Sequence, residues 1–164
     1  MVKTTSLSIS LACLAAFAGA AAATDPAANP DRHVLASLGG PIVADRVLTG
    51  LSQPVAIEFL PDGKALVLQR DRGLMSLVDF KTGQKTDIEG MPDMLVLEAA
   101  GAHDIELHPQ YRSNGWIYVA YSEGEEHHST AVVDRVRLNG TKVAERQRIF
   151  TADAYSEGLY HFAA

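Results

Sequence analysis

The chain has 164 residues, with 14 Lys and Arg against 20 Asp and Glu, and a formal net charge of −6 at pH 7. This acidic balance, without any run of Lys or Arg, argues against nucleic acid and anionic lipid as partners. The length suits one ordinary domain. Cys13 is the only cysteine, so the chain cannot form an internal disulfide.

Residues 1–23 predict a signal peptide. Lys3 precedes an apolar run from about Leu7 to Ala22, and Ala21-Ala22-Ala23 resembles a cleavage site. The run is short for a membrane span, which needs roughly 20 residues. We therefore expect a secreted or periplasmic protein with no membrane span after the leader is removed. A retained anchor and a lipoprotein acylated at Cys13 are less favoured alternatives.

After the leader, residues 24–42 predict a flexible lead-in, because they contain Pro and Asp and show no hydrophobic periodicity. From residue 43 onward, short apolar runs alternate with turn residues, a pattern typical of consecutive antiparallel strands. The first set of predicted strands covers 55–60, 65–69 and 74–80, followed by a polar stretch from 84. The second set covers 102–107, 116–121, 130–138 and 143–150, with a loop at 122–129 and a hairpin turn at Asn139-Gly140.

Part of the first set returns in the second set at a constant spacing. The residues that recur 48 positions later are Ile57, Glu58 and Pro61, as Ile105, Glu106 and Pro109. This spacing lies in the range of β-propeller blades and predicts a repeated four-stranded unit. The repeat alone leaves a generic β-sandwich or barrel as an alternative.

Longer motifs carry a family resemblance. The chain contains, in this order, LSQPVAIEFLPDGKALVLQRDRGLMSLV, DIELHPQYRSNGWIYVAYSE, STAVVDRVRLNG and YHF. With them, residues 48–162 resemble the glucose/sorbosone dehydrogenase family of exported, soluble aldose sugar dehydrogenases that use pyrroloquinoline quinone (PQQ) and calcium. The resemblance implies an all-β fold, a β-propeller of the six-bladed PQQ sugar dehydrogenase type. It further implies that residues 43–164 contain about the first two blades and end at the start of the third.

The resemblance also implies site residues. His161 corresponds to the general base that takes the hydroxyl proton while hydride passes from the sugar to the quinone, and the near-neutral pKa typical of imidazole suits that role. Ala163-Ala164 stand where the family has Gly-Gly or Gly-Ser, and the family's arginine does not follow. A family glutamine near the cofactor would fall at about Ala99. Glu98, one position away, is the candidate cofactor-binding residue if the loop is displaced.

The implied function is that of the N-terminal part of an exported PQQ-dependent sugar dehydrogenase, which oxidises an aldose to its lactone. In the family, the basic residues that hold the PQQ carboxylates and most calcium ligands belong to later blades. We therefore expect this fragment to be inactive and to bind neither PQQ nor calcium by itself. Its open blade edges predict self-association. The alternative is a non-catalytic exported propeller-type binding module or a degenerate gene product, which Ala99 and Ala163-Ala164 suggest.

We assign no metal ligands among the other histidines. His103 and His108 are five positions apart. Since an odd separation along a strand places side chains on opposite faces, a shared ion is not expected, and His108 is predicted to be a turn element. A weak cation or zinc site is conceivable near His127-His128, but solvated loop charge is the favoured interpretation. The aromatic residues expected to pack between blades, rather than to form a sugar-stacking platform, are Trp116, Tyr118 and Tyr121.

Overall fold

A computed structural model of the chain describes residues 31–153. They form antiparallel β-sheets and one short α-helix, which confirms the predicted all-β class. Between residues 31 and 153, no helix is long and apolar enough to cross a membrane. The predicted signal peptide, residues 1–23, lies outside the described residues.

The described part begins with a β-hairpin. Strand β1 (Arg32–Leu35) pairs with β2 (Ile42–Asp45), and Arg32 and Asp45 form an ion pair across it at 2.7 Å. All eight strand residues are exposed. The segment predicted as a flexible lead-in, 24–42, thus contains β1 and the first residue of β2. The domain boundaries themselves remain predictions.

The first sheet has four strands in the order β3-β4-β5-β6. The predicted runs at 55–60, 65–69 and 74–80 are confirmed as strands, with small shifts at their ends. A 3-10 turn, Arg70–Arg72, separates the second strand from the third and ends at Gly73. The strands are β3 (Pro54–Phe59), β4 (Ala65–Gln69), β5 (Leu74–Asp79) and β6 (Gln84–Asp87).

The second sheet has the order β7-β8-β9-β10, so its strands are again neighbours in chain order. The predicted loop at 122–129 is wrong, because β8 and β9 continue through it to a two-residue turn at Glu126 and His127. The following turn consists of Gly140 and Thr141, one residue later than predicted. The elements are β7 (Ala102–Leu107), α1 (Tyr111–Asn114), β8 (Ile117–Glu125), β9 (His128–Asn139) and β10 (Lys142–Thr151).

The two sheets pack on each other through apolar faces. Burial of these faces removes apolar area from water at about 25 cal/mol per Å² and is the main attraction between the sheets. The first sheet contributes the buried side chains of Leu66, Leu68 and Met75, and Ile88, directly after β6, adds to them. The second sheet contributes Ala102, Ile105, Ile117, Val119, Tyr121, Val132 and Val136.

A polar network crosses the second sheet within this interface. The Tyr121 hydroxyl donates to Asp134 at 2.7 Å, and Arg148 Nε donates to the other oxygen of the same carboxylate at 2.5 Å. Arg148 Nη2 also donates to Glu123 at 2.7 Å. Because Tyr121 and Asp134 are fully buried, these bonds are needed to offset the loss of hydration. Side-chain hydrogen bonds also join Gln69, Ser76 and Asp87 in the first sheet. These three residues occupy the registers that Tyr121, Asp134 and Arg148 occupy in the second sheet.

Candidate functional site

Glu98 lies in the loop of residues 88–101, which leaves the outermost strand of the first sheet and enters the innermost strand of the second. The loop is held to β8 where the Leu95 N–H donates to the Ser122 carbonyl at 2.9 Å. Glu98 is exposed and has a φ of +51°, in the left-handed region that few non-glycine residues adopt. Such a conformation costs about 1–3 kcal/mol and is often found at functional sites.

The same loop ends against the 3-10 turn. Gly101 has a φ of +134°, and a Cβ there would lie 2.7 Å from the Arg70 carbonyl oxygen and 2.8 Å from Arg70 Cγ. Glycine is required at this position, because any side chain would overlap the Arg70 backbone. The Ser122 N–H also donates to the Gly101 carbonyl at 2.8 Å. The loop with Glu98 is therefore fixed between the first sheet and β8.

A polar cluster around Arg70 was missed by the sequence analysis. Arg70 Nη2 donates to Gln53 Oε1 at 2.9 Å, and the Arg70 N–H donates to the Gln53 carbonyl at 3.1 Å. Gln53 has a φ of +39°. Among the described residues, Arg70 Nε and Asp71 Oδ1 are buried without a hydrogen-bond partner. The sequence marks this segment only as a turn, since neither a positive φ at Gln53 nor its bond to Arg70 follows from hydrophobic periodicity.

The predicted general base, His161, lies outside the described residues. The second sheet ends with β10 at Thr151, and β10 is the fourth strand of its sheet, as β6 is of the first. The residues after Thr151 therefore follow the fourth strand of the second sheet. In the same way, the loop of residues 88–101, which carries Glu98, follows the fourth strand of the first sheet. The roles of His161 and Glu98 remain predictions.

The histidines of the described chain occupy separate environments. His103 Nε2 lies 2.8 Å from Ser122 Oγ. His108 Nδ1 accepts the Gln110 N–H at 3.0 Å and lies 2.9 Å from Asn114 Nδ2, in the connector that contains α1. The prediction of His108 as a turn element is confirmed.

The acidic segment near His127 and His128 forms a hairpin instead of an open loop. Glu123 faces Arg148, whose hydrogen bond holds the pKa of the Glu123 carboxyl below its usual range. Between residues 31 and 153, no group of three or more His, Cys, Asp or Glu side chains is arranged to hold a metal ion.

Three carboxylates interact where the innermost strands of the two sheets meet. Partial burial raises the pKa of Glu58, and repulsion from Glu106 and then Asp104 raises it further. Glu58 and Glu106 are equivalent positions of the sequence repeat, so the repeat places like charges on neighbouring strands of the two sheets. Protonation of Glu58 removes this repulsion.

Trp116 does not offer an open aromatic surface. The guanidinium carbons of Arg135 and Arg137 lie 4.4 and 4.1 Å from the centre of its ring. This cation–π arrangement occupies the space that a stacked sugar would need.

The residues around Glu98 do not fit PQQ by themselves. A carboxylated cofactor needs cationic or N–H donors, which form its strongest hydrogen bonds. Glu98 presents a carboxylate of the same sign, and the Arg70 guanidinium beside its loop is bound to Gln53. A cofactor at this loop would need cationic groups from other parts of the protein.

The chain matches the profile of a family described as Glucose / Sorbosone dehydrogenase over residues 51–164. It is also similar to an uncharacterized protein of Synechocystis sp., with 28% identity over 131 residues. That alignment covers 75% of this chain and 32% of the relative.

Solved structures of sugar dehydrogenases are also similar to this chain. The soluble aldose sugar dehydrogenase of Escherichia coli, in the apo-form, has 27% identity and a TM-score of 0.59, covering 64% of this chain and 31% of that one. The PQQ-bound aldose sugar dehydrogenase of Streptomyces coelicolor has 26% identity and a TM-score of 0.56, covering 74% and 34%. This chain thus spans about a third of the length of these proteins. Its two sheets are successive propeller blades, and the chain belongs to the glucose/sorbosone dehydrogenase family.

Proposed function

We propose that this chain is the N-terminal part of an exported, PQQ-dependent sugar dehydrogenase that oxidises an aldose to its lactone. The observation that carries the proposal is the family match over residues 51–164, together with two successive blades that superpose on sugar dehydrogenases. The predicted signal peptide at residues 1–23 supports a secreted or periplasmic location.

The proposed chemistry removes one hydroxyl proton and one hydride from the sugar. His161 accepts the proton, for which a neutral imidazole is suited at physiological pH. PQQ, with calcium beside it, would supply the two-electron acceptor. Since the residues around Glu98 do not form a cationic set for PQQ, we propose that other segments hold most of the cofactor and that this chain alone is inactive.

The role of His161 can be tested in the natural protein that contains this segment. His161→Gln removes the base and is expected to lower kcat by about 10²–10⁴-fold, while PQQ binding, followed by absorbance, is retained. His127→Gln, in the turn between β8 and β9, is the matched control and should leave kcat unchanged. Equal rates for His161→Gln and wild type would refute the assignment.

A second candidate function is a non-catalytic binding module with a propeller scaffold. Ala99, at the position of the family glutamine, favours it. Titration of the natural protein with PQQ separates the two functions. Saturable PQQ binding supports the dehydrogenase, and no binding at saturating PQQ and calcium supports the module.

A further inference from the structure

The hairpin between β8 and β9 extends beyond the equivalent connection of the first sheet. There, β4 ends at Gln69 and a 3-10 turn follows directly. Tyr121 holds the equivalent register in the second sheet, yet β8 continues to Glu125 and stays paired with β9. The additional residues of β8, Ser122 to Glu125, add about 13 Å of paired strand, at about 3.3 Å per residue. We call residues 122–131 the projecting hairpin.

The loop that carries Glu98 is fixed to the base of the projecting hairpin. Its Leu95 N–H donates to the Ser122 carbonyl at 2.9 Å, and its Gly101 carbonyl accepts the Ser122 N–H at 2.8 Å. Because Ser122 is fully buried, water does not compete for these bonds. Glu98 is three residues from Leu95 and three from Gly101, so at most about 11 Å of chain separates it from either anchored residue. The projecting hairpin therefore stands beside Glu98.

The other strand of the projecting hairpin is fixed to the end of β10. The Ala152 N–H donates to the Ala131 carbonyl at 2.9 Å, and Thr130 Oγ1 donates to the Ala152 carbonyl at 3.0 Å. Ala152 comes nine positions before the predicted base, His161, in the sequence. The loop with Glu98 and the chain that leads toward His161 thus meet the second sheet at opposite strands of this hairpin.

Side-chain and backbone contacts hold the projecting hairpin in one direction. Glu123 accepts hydrogen bonds from Arg148 Nη1 at 2.9 Å and Nη2 at 2.7 Å, and Arg148 also binds the buried Asp134. A bidentate bond of this kind restrains orientation as well as distance. Beyond it, Gly124 lies so close to the opposite strand that a Cβ would be 2.3 Å from the His128 carbonyl oxygen. The projecting hairpin is therefore a fixed obstacle and not a movable loop.

We propose that the projecting hairpin is a steric wall that limits the length of the sugar that the enzyme oxidises. The hairpin does not bind the sugar. It occupies space on one side of the loop with Glu98, so a monosaccharide fits beside it but a chain of several sugar units cannot extend across it. Selectivity then comes from a clash with the longer substrate. The inference rests on the proposed function, because it requires sugar oxidation near this loop.

The kcat/KM for maltoheptaose divided by that for glucose tests the wall in the longer protein that we propose contains this segment. Loss of folded protein or of cofactor lowers both rates equally and cancels in this ratio. A shortened variant retains the pair of Glu123 and Thr130 and loses two residues from each strand, which lowers the wall by about 7 Å. The residues removed are Gly124, Glu125, His128 and Ser129.

The turn residues of the shortened variant supply its matched control. Glu126→Asn and His127→Gly give the shortened hairpin a favourable two-residue turn, and the control carries the same two substitutions in a hairpin of full length. We expect the ratio to rise at least about tenfold in the shortened variant and to equal that of wild type in the control. If circular dichroism shows that the shortened variant is unfolded, Glu125→Ala with His128→Ala replaces it, since this pair trims the wall without changing the backbone, and a smaller rise is expected.

The outcomes separate the wall from the proposed function. A wild type that oxidises glucose, together with an unchanged or lower ratio in the folded variant, would overturn the wall alone. So would a wild type that oxidises maltoheptaose as efficiently as glucose. A wild type that oxidises neither sugar with PQQ and calcium present would overturn the proposed function and the wall with it.

Discussion

Ile57 and Ile105 occupy the same register of successive sheets, yet Ile57 is 48% exposed and Ile105 only 3%. The difference arises because the face of the first sheet with Leu66, Leu68 and Met75 covers Ile105, whereas the described residues place no sheet over Ile57. The same side chain at the same strand position therefore has two environments, which is expected of stacked blades but not of a sandwich closed on itself.

This difference predicts unequal effects of truncation. Ile105→Ala should lower the free energy of unfolding by about 2–5 kcal/mol, because it opens a cavity between the sheets. Ile57→Ala in the monomeric chain should cost less than about 1 kcal/mol, since half of that side chain is already in water. Urea unfolding followed by tryptophan fluorescence measures both, at a concentration where light scattering shows one chain. Equal costs would contradict the stacked arrangement.

The contact between Gly101 and Arg70 gives a second prediction. Gly101→Ala combines an unfavourable φ with an overlap against the Arg70 carbonyl, so the loop that carries Glu98 must shift. Gly63→Ala is the matched control, because Gly63 has a φ of +85° but open space around its Cα. Both variants are destabilised by about 1–3 kcal/mol, because alanine is unfavourable at a positive φ. Gly101→Ala should be the less stable of the two, because its Cβ also overlaps Arg70.

Hydrogen exchange provides the local measurement for this pair of variants. Faster exchange at residues 95–103 in Gly101→Ala, with the Gly63→Ala pattern unchanged there, is the expected result. Similar exchange in both variants would show that the loop does not depend on this contact.

Stability should depend on pH with opposite signs at Glu58 and Glu123. The pKa of Glu58 is raised in the folded state by burial and by Glu106, so its contribution to stability is present at acid pH and is lost as pH rises through the raised value. The pKa of Glu123 is lowered by Arg148, so its contribution is present above the ordinary glutamate value and is lost as pH falls through the lowered one.

Two substitutions isolate these contributions. Glu58→Gln should gain stability relative to wild type as pH rises from below to above the ordinary glutamate pKa of about 4.3. Glu123→Gln should lose stability relative to wild type over the same rise. Urea midpoints at a series of pH values measure both differences, and parallel curves for the two variants would contradict the assigned interactions.

The sequence predicted most strands because apolar runs and glycine turns coincide in both sheets. It failed at 122–129, where polar side chains are buried inside strands. Ser122 and Ser129 are fully buried, and Gly124 has a φ of +118° at which a Cβ would lie 2.3 Å from the His128 carbonyl oxygen. Hydrophobic periodicity cannot detect a strand whose buried residues are serines and whose register depends on a glycine contact.

The candidate site was less predictable than the strands. Glu98 was proposed from a one-residue displacement of a family position, and its positive φ lies in a loop that backbone hydrogen bonds at Leu95 and Gly101 hold to β8. The bond between Arg70 and Gln53 joins segments that no local pattern relates. Long-range contacts of this kind depend on the packing of whole connections and not on local propensity.

The most direct test of the proposed function is the rate of aldose oxidation by the longer protein that we propose contains this segment. The protein is stripped of PQQ and calcium, both are then added back, and an electron-accepting dye reports turnover. We predict turnover that requires both additions in the longer protein, and none in residues 24–164 alone. An inactive longer protein with both additions, or turnover by residues 24–164 alone, would contradict the proposal.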